Sequence, residues 1–295
     1  MKRSRFFNIV LIIALIVGIE RFSYRARNGF SIGKVQREST LNPQWQIAPL
    51  QDPTLLQQRF TYLGSGGTSF AFLGEDKKTI LKLIKQHHLQ GPQWLLRLPL
   101  PGFLNQHLLK TYIQRELKHQ HKRLPYLFTS CKIAYENLRE ETGLVYLALQ
   151  GSEPCKVELI DRLGFSHTVD LSQTSFALQR YATPLFAHLE ALLKDEKAAQ
   201  IKSIMDQLLD LISLRCERGI SDRDPNLLIN FGVTAKRVIE YDLGSYALEP
   251  ALRTPAAQKR ELYLATFALR AWLEKRAPSL LNEYEHLLAQ RLAVP

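Results

Sequence analysis

The stretch Gly219–Tyr246, GISDRDPNLLINFGVTAKRVIEYDLGSY, sets Asp222, Asp224, Asn226, Asn230 and Asp242 among short apolar runs. Asp, Asn and Pro form turns, and Ile229 or Val238 and Ile239 can supply the strands between them. The same side chains are also hard oxygen donors, the kind that hold a divalent cation and, through it, a phosphate. What surrounds the stretch bears on which of the two they are.

Upstream lies KAAQIKSIMDQLLDLISLRCERG, with Ile201, Ile204, Leu208, Leu211 and Ile212 at helical spacing and Gly219 as the stop. Before it, TPLFAHLEALLKD predicts a helix capped by Thr183, with Pro184 at its first position and Leu185, Leu189 and Leu192 on one face. Downstream, AQKRELYLATFALRAWLEK and SLLNEYEHLLAQRL read as two more helices. The front half differs. RFTYLGSGGTSFAFLGEDKKTILKLIK predicts three strands with a glycine turn at Gly64, Ser65, Gly66 and Gly67, and GLVYLALQ, KVELIDRL, HTVDL and SFALQRYA predict four more. One helical run, LLKTYIQRELKHQHKRL, interrupts them.

This order gives an α+β chain with four parts: a signal or membrane anchor at 1–27, a linker at 28–57, a β-rich domain at 58–182 with an irregular apolar insertion at 86–112, and a helical domain at 183–295 carrying a hairpin. With 45% apolar and 23% charged residues the chain buries a core and is not a disordered tail. The net charge of +11 is concentrated in residues 1–37 and 82–123, each at +7. The second block lacks the zinc-finger spacing and aromatic signature of nucleic-acid binders, so a solvated or membrane-facing basic helix is the reading. Cys131, Cys155 and Cys216 form no CxxC pair and read as reduced structural cysteines.

The amino terminus has Lys2, Arg3 and Arg5 before an apolar run from Phe6 to Ile19. Fourteen residues fall short of the ~20 a spanning helix needs, and no small-residue cleavage site follows. A retained short anchor is favoured over a cleaved signal, with the folded domain facing the cytosol; secretion is the alternative.

A glycine turn between strands lets backbone amides approach a polyphosphate. Lys82, in the otherwise apolar strand TILKLIK, wants a phosphate and a carboxylate, because a buried charge left unpaired is costly. Glu116, on the predicted helix, is the acid between Asp76 and Glu136. Asp242, after an apolar strand and before Leu243 and Gly244, can aim its carboxylate into a cleft.

Taken in order over residues 60–246, the glycine loop, strand lysine, helix glutamate, polar loop and Asp-x-Gly resemble the protein-kinase-like superfamily. The resemblance implies a bilobal protein-kinase-like fold, with a β-rich N-lobe, a reduced helical C-lobe and Mg²⁺-ATP as cofactor. It also implies that Gly64, Ser65, Gly66 and Gly67 cover the phosphates, that Lys82 contacts them and pairs with Glu116, and that Asp242 holds Mg²⁺. The catalytic loop aligns two ways. In one, Asp224 is the base and Asn230 the second metal ligand; in the other, Asp222 is the base and Asn226 the ligand. The first keeps the family's usual separation to Asp242.

The chain also departs from the pattern: the catalytic-loop histidine is absent, no Ala-Pro-Glu element follows, and 51 residues remain after Gly244. The implied function is an atypical membrane-associated kinase acting on an unidentified hydroxyl acceptor, protein or small molecule. The alternative is an inactive pseudokinase serving as a membrane-tethered nucleotide-binding or interaction module.

Overall fold

Alternating apolar and polar residues over 59–84 build three antiparallel strands, β1 (Arg59–Ser65), β2 (Ser69–Gly74) and β3 (Thr79–Ile84). The computed structural model describes residues 2–36, 42–86, 106–152 and 154–292. The protein is mixed α+β and contains a seven-stranded mixed sheet. The chain divides into two compact units, Met1–Gly91 with Ala148–Phe176, and Pro92–Leu147 with Ala177–Pro295. The helical run around Glu116 therefore groups with the second unit, and the expected insertion at 86–112 falls mostly outside the described residues.

In the first unit α1 (Lys2–Ala26) leads into the sheet strands, which run in the order β3-β2-β1-β5-β6, with β5 at Lys156–Ile160 and β6 at Ser166–Asp170. The β1–β5 pairing is parallel and the others are antiparallel. One face of the sheet buries Phe60, Phe70, Phe72, Leu81 and Leu83. Phe30 packs edge-on against Phe70 and Phe72, with centroids at 5.3 and 5.1 Å. Residues 28–57 form no strand or α-helix among the described residues, yet Phe30 and Val35 are buried, so the front of the expected linker is part of the core. Among the described residues no helix is long and apolar enough to cross a membrane.

In the second unit α2 (Gln106–Asn137) runs through Pro125, beyond the expected end at Leu124, because Phe128, Cys131 and Ala134 continue a buried face. Strands β4 (Leu144–Ala148) and β7 (Phe176–Arg180) pair with each other. Thr183 and Pro184 form the short strand β8 instead of opening a helix, and α3 follows at Leu185–Lys194. Helix α4 spans Ala198–Glu217, and Gly219 at φ +67° turns the chain.

The strand β9 (Ile220–Asp222) pairs with β12 (Tyr246–Leu248), facing Asp222 with Tyr246. The hairpin is β10 (Phe231–Val233) and β11 (Val238–Glu240), preceded by one helical turn, α5 (Leu227–Asn230). Ile229 is thus exposed in a helical turn and not in a strand. Gly232 is required here, since a Cβ would lie 2.7 Å from the Thr183 carbonyl oxygen. Helices α6 (Pro255–Arg276) and α7 (Leu281–Leu292) close a core with α3 and α4 through Leu189, Leu208, Ile212, Leu269, Leu273 and Leu288.

Candidate functional site

The loop between β9 and α5 is tied down from its own backbone. Asp222 Oδ1 accepts the Asp224 N–H at 2.9 Å, and the Asn230 amide nitrogen donates to the Asp224 carbonyl at 2.8 Å. Asn226 caps α5 by accepting the Leu228 N–H at 3.1 Å. These bonds hold the backbone of Asp224 at both ends of the residue, while its carboxylate is exposed and makes no hydrogen bond or ion pair among the described residues.

Asp222 has the opposite environment. Its side chain is 1% exposed and lies 3.3 Å from Arg215 Nη1, and the Ser245 hydroxyl donates to it. Arg215, on the apolar face of α4, is fully buried and also meets Glu240 at 3.2 Å and Glu261 at 2.8 Å. Burial opposes its charge, but the carboxyl groups of Glu240 and Asp222 outweigh that and hold the guanidinium protonated. Burial drives the Glu240 carboxyl well above its usual range despite Arg215, which favours its neutral form. Burial would raise Asp222 too, but the hydrogen bond from Glu240 and the Arg215 charge bring it below the ordinary carboxylate value. Favouring the neutral form of Glu240 lessens the repulsion among the three carboxyl groups, Asp222, Glu240 and Glu261, that meet one cation. An aspartate so occupied braces a loop; it is poorly placed to take a proton from a substrate.

Asp242 follows β11, half-buried, and its Oδ1 accepts the Gly244 N–H at 3.1 Å. Its other oxygen makes no hydrogen bond or ion pair among the described residues. The turn is bolted to α2 by Ser130, whose hydroxyl donates to the Leu243 carbonyl at 2.6 Å and accepts the Tyr246 N–H at 2.7 Å. Asp242, Asn230 and Asn226 offer only oxygen and amide donors, which suits a hard cation such as Mg²⁺. Asn226 already uses its oxygen as a cap, whereas Asn230 commits its nitrogen and keeps the oxygen. Among the described residues no three His, Cys, Asp or Glu side chains are arranged to hold a metal. A cation here would need phosphate oxygens to complete its shell.

In the first unit, Gly64 faces Ala71 across β1–β2 and Ala71 faces Lys82 across β2–β3. Directly paired residues share a sheet face, so the glycine strand end and Lys82 stand abreast. Lys82 is half-buried. Ser65 ends β1, and Gly66 and Gly67 are exposed in the turn. Glu116 lies on α2, with its side chain outside the described residues.

The sequence reading did not identify Arg215, Glu240, Glu261, Ser130 or Ser245. The one available signal was a charge at position 215 inside an apolar helical stripe, beside Leu211 and Ile212. Comparison with protein-family models and with curated proteins found no match for this chain.

Proposed function

We propose that the protein binds a nucleoside triphosphate and transfers its terminal phosphoryl group to a hydroxyl acceptor. The observation that carries this is the contrast at the β9–α5 loop, where Asp222 is locked into a buried ion network and Asp224 presents an unengaged carboxylate on a braced backbone. A general base needs such fixed position and free lone pairs. In this reading the first unit is the nucleotide-binding lobe of a protein-kinase-like protein, using Gly64, Ser65, Gly66 and Gly67. The second is the metal- and acceptor-binding lobe.

Asp224 takes the acceptor's proton as its oxygen bonds to the terminal phosphorus and the bond to the leaving nucleoside diphosphate breaks. Asp242 with Asn230 would hold Mg²⁺, which neutralises phosphate charge when bound. Asp222 positions the loop through Arg215 and Ser245 and moves no proton. The same reading keeps α1, whose Leu11, Leu15, Ile16 and Ile19 are exposed, at a membrane with the folded part on the cytosolic side.

The test is thermal unfolding of the full chain with and without ATP and Mg²⁺, together with ADP formation with water as acceptor. Nucleotide at ~100 times its dissociation constant stabilises by about 2.7 kcal/mol. The wild type should show a metal-dependent shift that Asp242→Ala lacks, and Asp224→Asn should keep the shift while losing ADP formation. Undiminished turnover in Asp242→Ala would overturn the proposal. A shift without turnover in the wild type would leave a nucleotide-binding module.

A further inference from the structure

Three residues beyond Lys82, Lys85 reaches back to the glycine turn. Its Nζ donates to Ser65 Oγ at 2.9 Å and to the Gly66 carbonyl, and it lies 4.4 Å from the centre of the Phe70 ring. Lys34 comes to the same place from the segment after α1, since its carbonyl accepts the Gln86 N–H at 2.7 Å. Its ammonium donates to the Gly29 carbonyl at 2.6 Å and sits 4.4 Å from the centre of the Tyr24 ring. Each ammonium has three donors, so both have capacity beyond these contacts.

Neither lysine makes an ion pair among the described residues. Both are held below the usual lysine range, first by burial; for Lys34 the Glu20 charge partly offsets this and Arg27 adds to it, and for Lys85 the charge of Lys34 adds to it. Gln86, 1% exposed, has no hydrogen-bond partner among the described residues for either its amide oxygen or its nitrogen. A buried amide left this way is costly. Gly66, Gly67 and Thr68 are exposed, and the Gly67 and Thr68 N–H groups make no backbone hydrogen bond among the described residues. Two neighbouring cations beside open backbone donors at a glycine turn are unfavourable one by one, and an anion compensates them together.

We infer that Lys34, Lys85 and the turn Ser65–Thr68 form a polyphosphate-binding site in which Lys85, and not Lys82, is the principal lysine meeting the anion. The ligand chemistry is a chain of phosphoryl oxygens, shared by a nucleoside triphosphate and by inorganic tripolyphosphate; only the first source rests on the proposed function. Lys34 enters from a segment with no recognisable motif, and Lys85 sits at a strand end where a solvated charge is the ordinary expectation.

The experiment is calorimetric titration of the full chain with tripolyphosphate and, separately, with ATP and Mg²⁺, for wild type, Lys82→Met, Lys85→Met, Lys85→Arg and Lys34→Met. Lys85→Met should weaken tripolyphosphate about tenfold, Lys34→Met by a smaller factor, and Lys82→Met little, with Lys85→Arg keeping most of the affinity. If Lys85→Met fails to fold, Lys34→Met and Lys85→Arg carry the comparison. Loss in Lys82→Met with retention in Lys85→Met or Lys34→Met overturns the inference and leaves the nucleotide reading standing. Lysine-dependent binding of tripolyphosphate, with ATP no tighter, upholds the inference and removes the nucleotide. No binding of either ligand removes both.

Discussion

Arg215 concentrates more buried charge around one atom group than any local rule of the sequence anticipates, and its removal leaves Asp222, Glu240 and Glu261 without their cation. Breaking a buried pair from one side costs about 3–5 kcal/mol, so Arg215→Met should lower unfolding free energy by that order in urea titration at pH 7. Glu240 and Asp222 then act in opposite directions with pH. The folded pKa of Glu240 is raised, so its contribution is fully present below the unfolded value of about 4.3 and is lost as pH rises toward the folded pKa. Asp222 is depressed, so its contribution is present above its unfolded value and lost as pH falls. Glu240→Gln keeps the neutral form permanently. Its stability relative to wild type should therefore increase as pH rises from the unfolded carboxylate value toward the folded pKa of Glu240, by up to about 1.4 kcal/mol per pH unit, read from urea titrations at pH 5 and at higher pH. A difference between the two proteins that does not change with pH would show that the Glu240 carboxyl is not raised in the fold.

The elements that position the candidate site are joined by few atoms, and Ser130 is the most exposed to test. Fully buried on α2, it satisfies the Leu243 carbonyl and the Tyr246 N–H on either side of the Gly244 turn. Ser130→Ala strands the Tyr246 N–H and leaves the Leu243 carbonyl only the weak Cys131 thiol donor at 3.7 Å, and should cost about 1–3 kcal/mol. Because Asp242 leads into this turn, the variant should also weaken the Mg²⁺-dependent thermal shift while remaining folded by circular dichroism. An unaltered shift would detach α2 from the metal turn.

Such links explain what was legible beforehand. The strands at 59–84 and 144–180 and the helices after Leu185 carry their own period in the sequence, so they could be placed from it. Pro125 concealed the continuity of α2, since tertiary burial of Phe128 and Ala134 overrode a local breaker. Leu227–Asn230 reads apolar enough for a strand, yet Asn226 caps it as a helical turn. Of the site, the free carboxylates stood out as residue types in order. The division between bracing Asp222 and available Asp224 depends on Arg215, seven residues upstream of Asp222, and no spacing rule connects them.

At the scale of the whole molecule, the question is where the folded chain begins. Composition places the start near Gln58, whereas burial places it at the end of α1. Asn28 donates to the Tyr62 hydroxyl at 2.9 Å, Phe30 is 2% exposed against Phe70 and Phe72, and Val35 is fully buried. Gln36 bridges Thr174, so this short segment touches residues far apart in sequence within the first unit. By contrast the apolar side chains at Leu11, Leu15, Ile16 and Ile19 are 57–62% exposed and contribute little to that core. Truncation at two points separates these roles. A chain beginning at Asn28 should melt close to the full-length protein, having lost mainly the Tyr24 ring beside Gly29 and Lys34. A chain beginning at Asn42 loses Phe30 and Val35 as well. Removal of one buried phenylalanine costs about 3–5 kcal/mol, which for a domain of this size lowers the melting temperature by on the order of 10 °C. Circular-dichroism melts of the three chains at one concentration measure this. Equal melting of the Asn28 and Asn42 chains would mean that the segment is dispensable and that the core closes without Phe30.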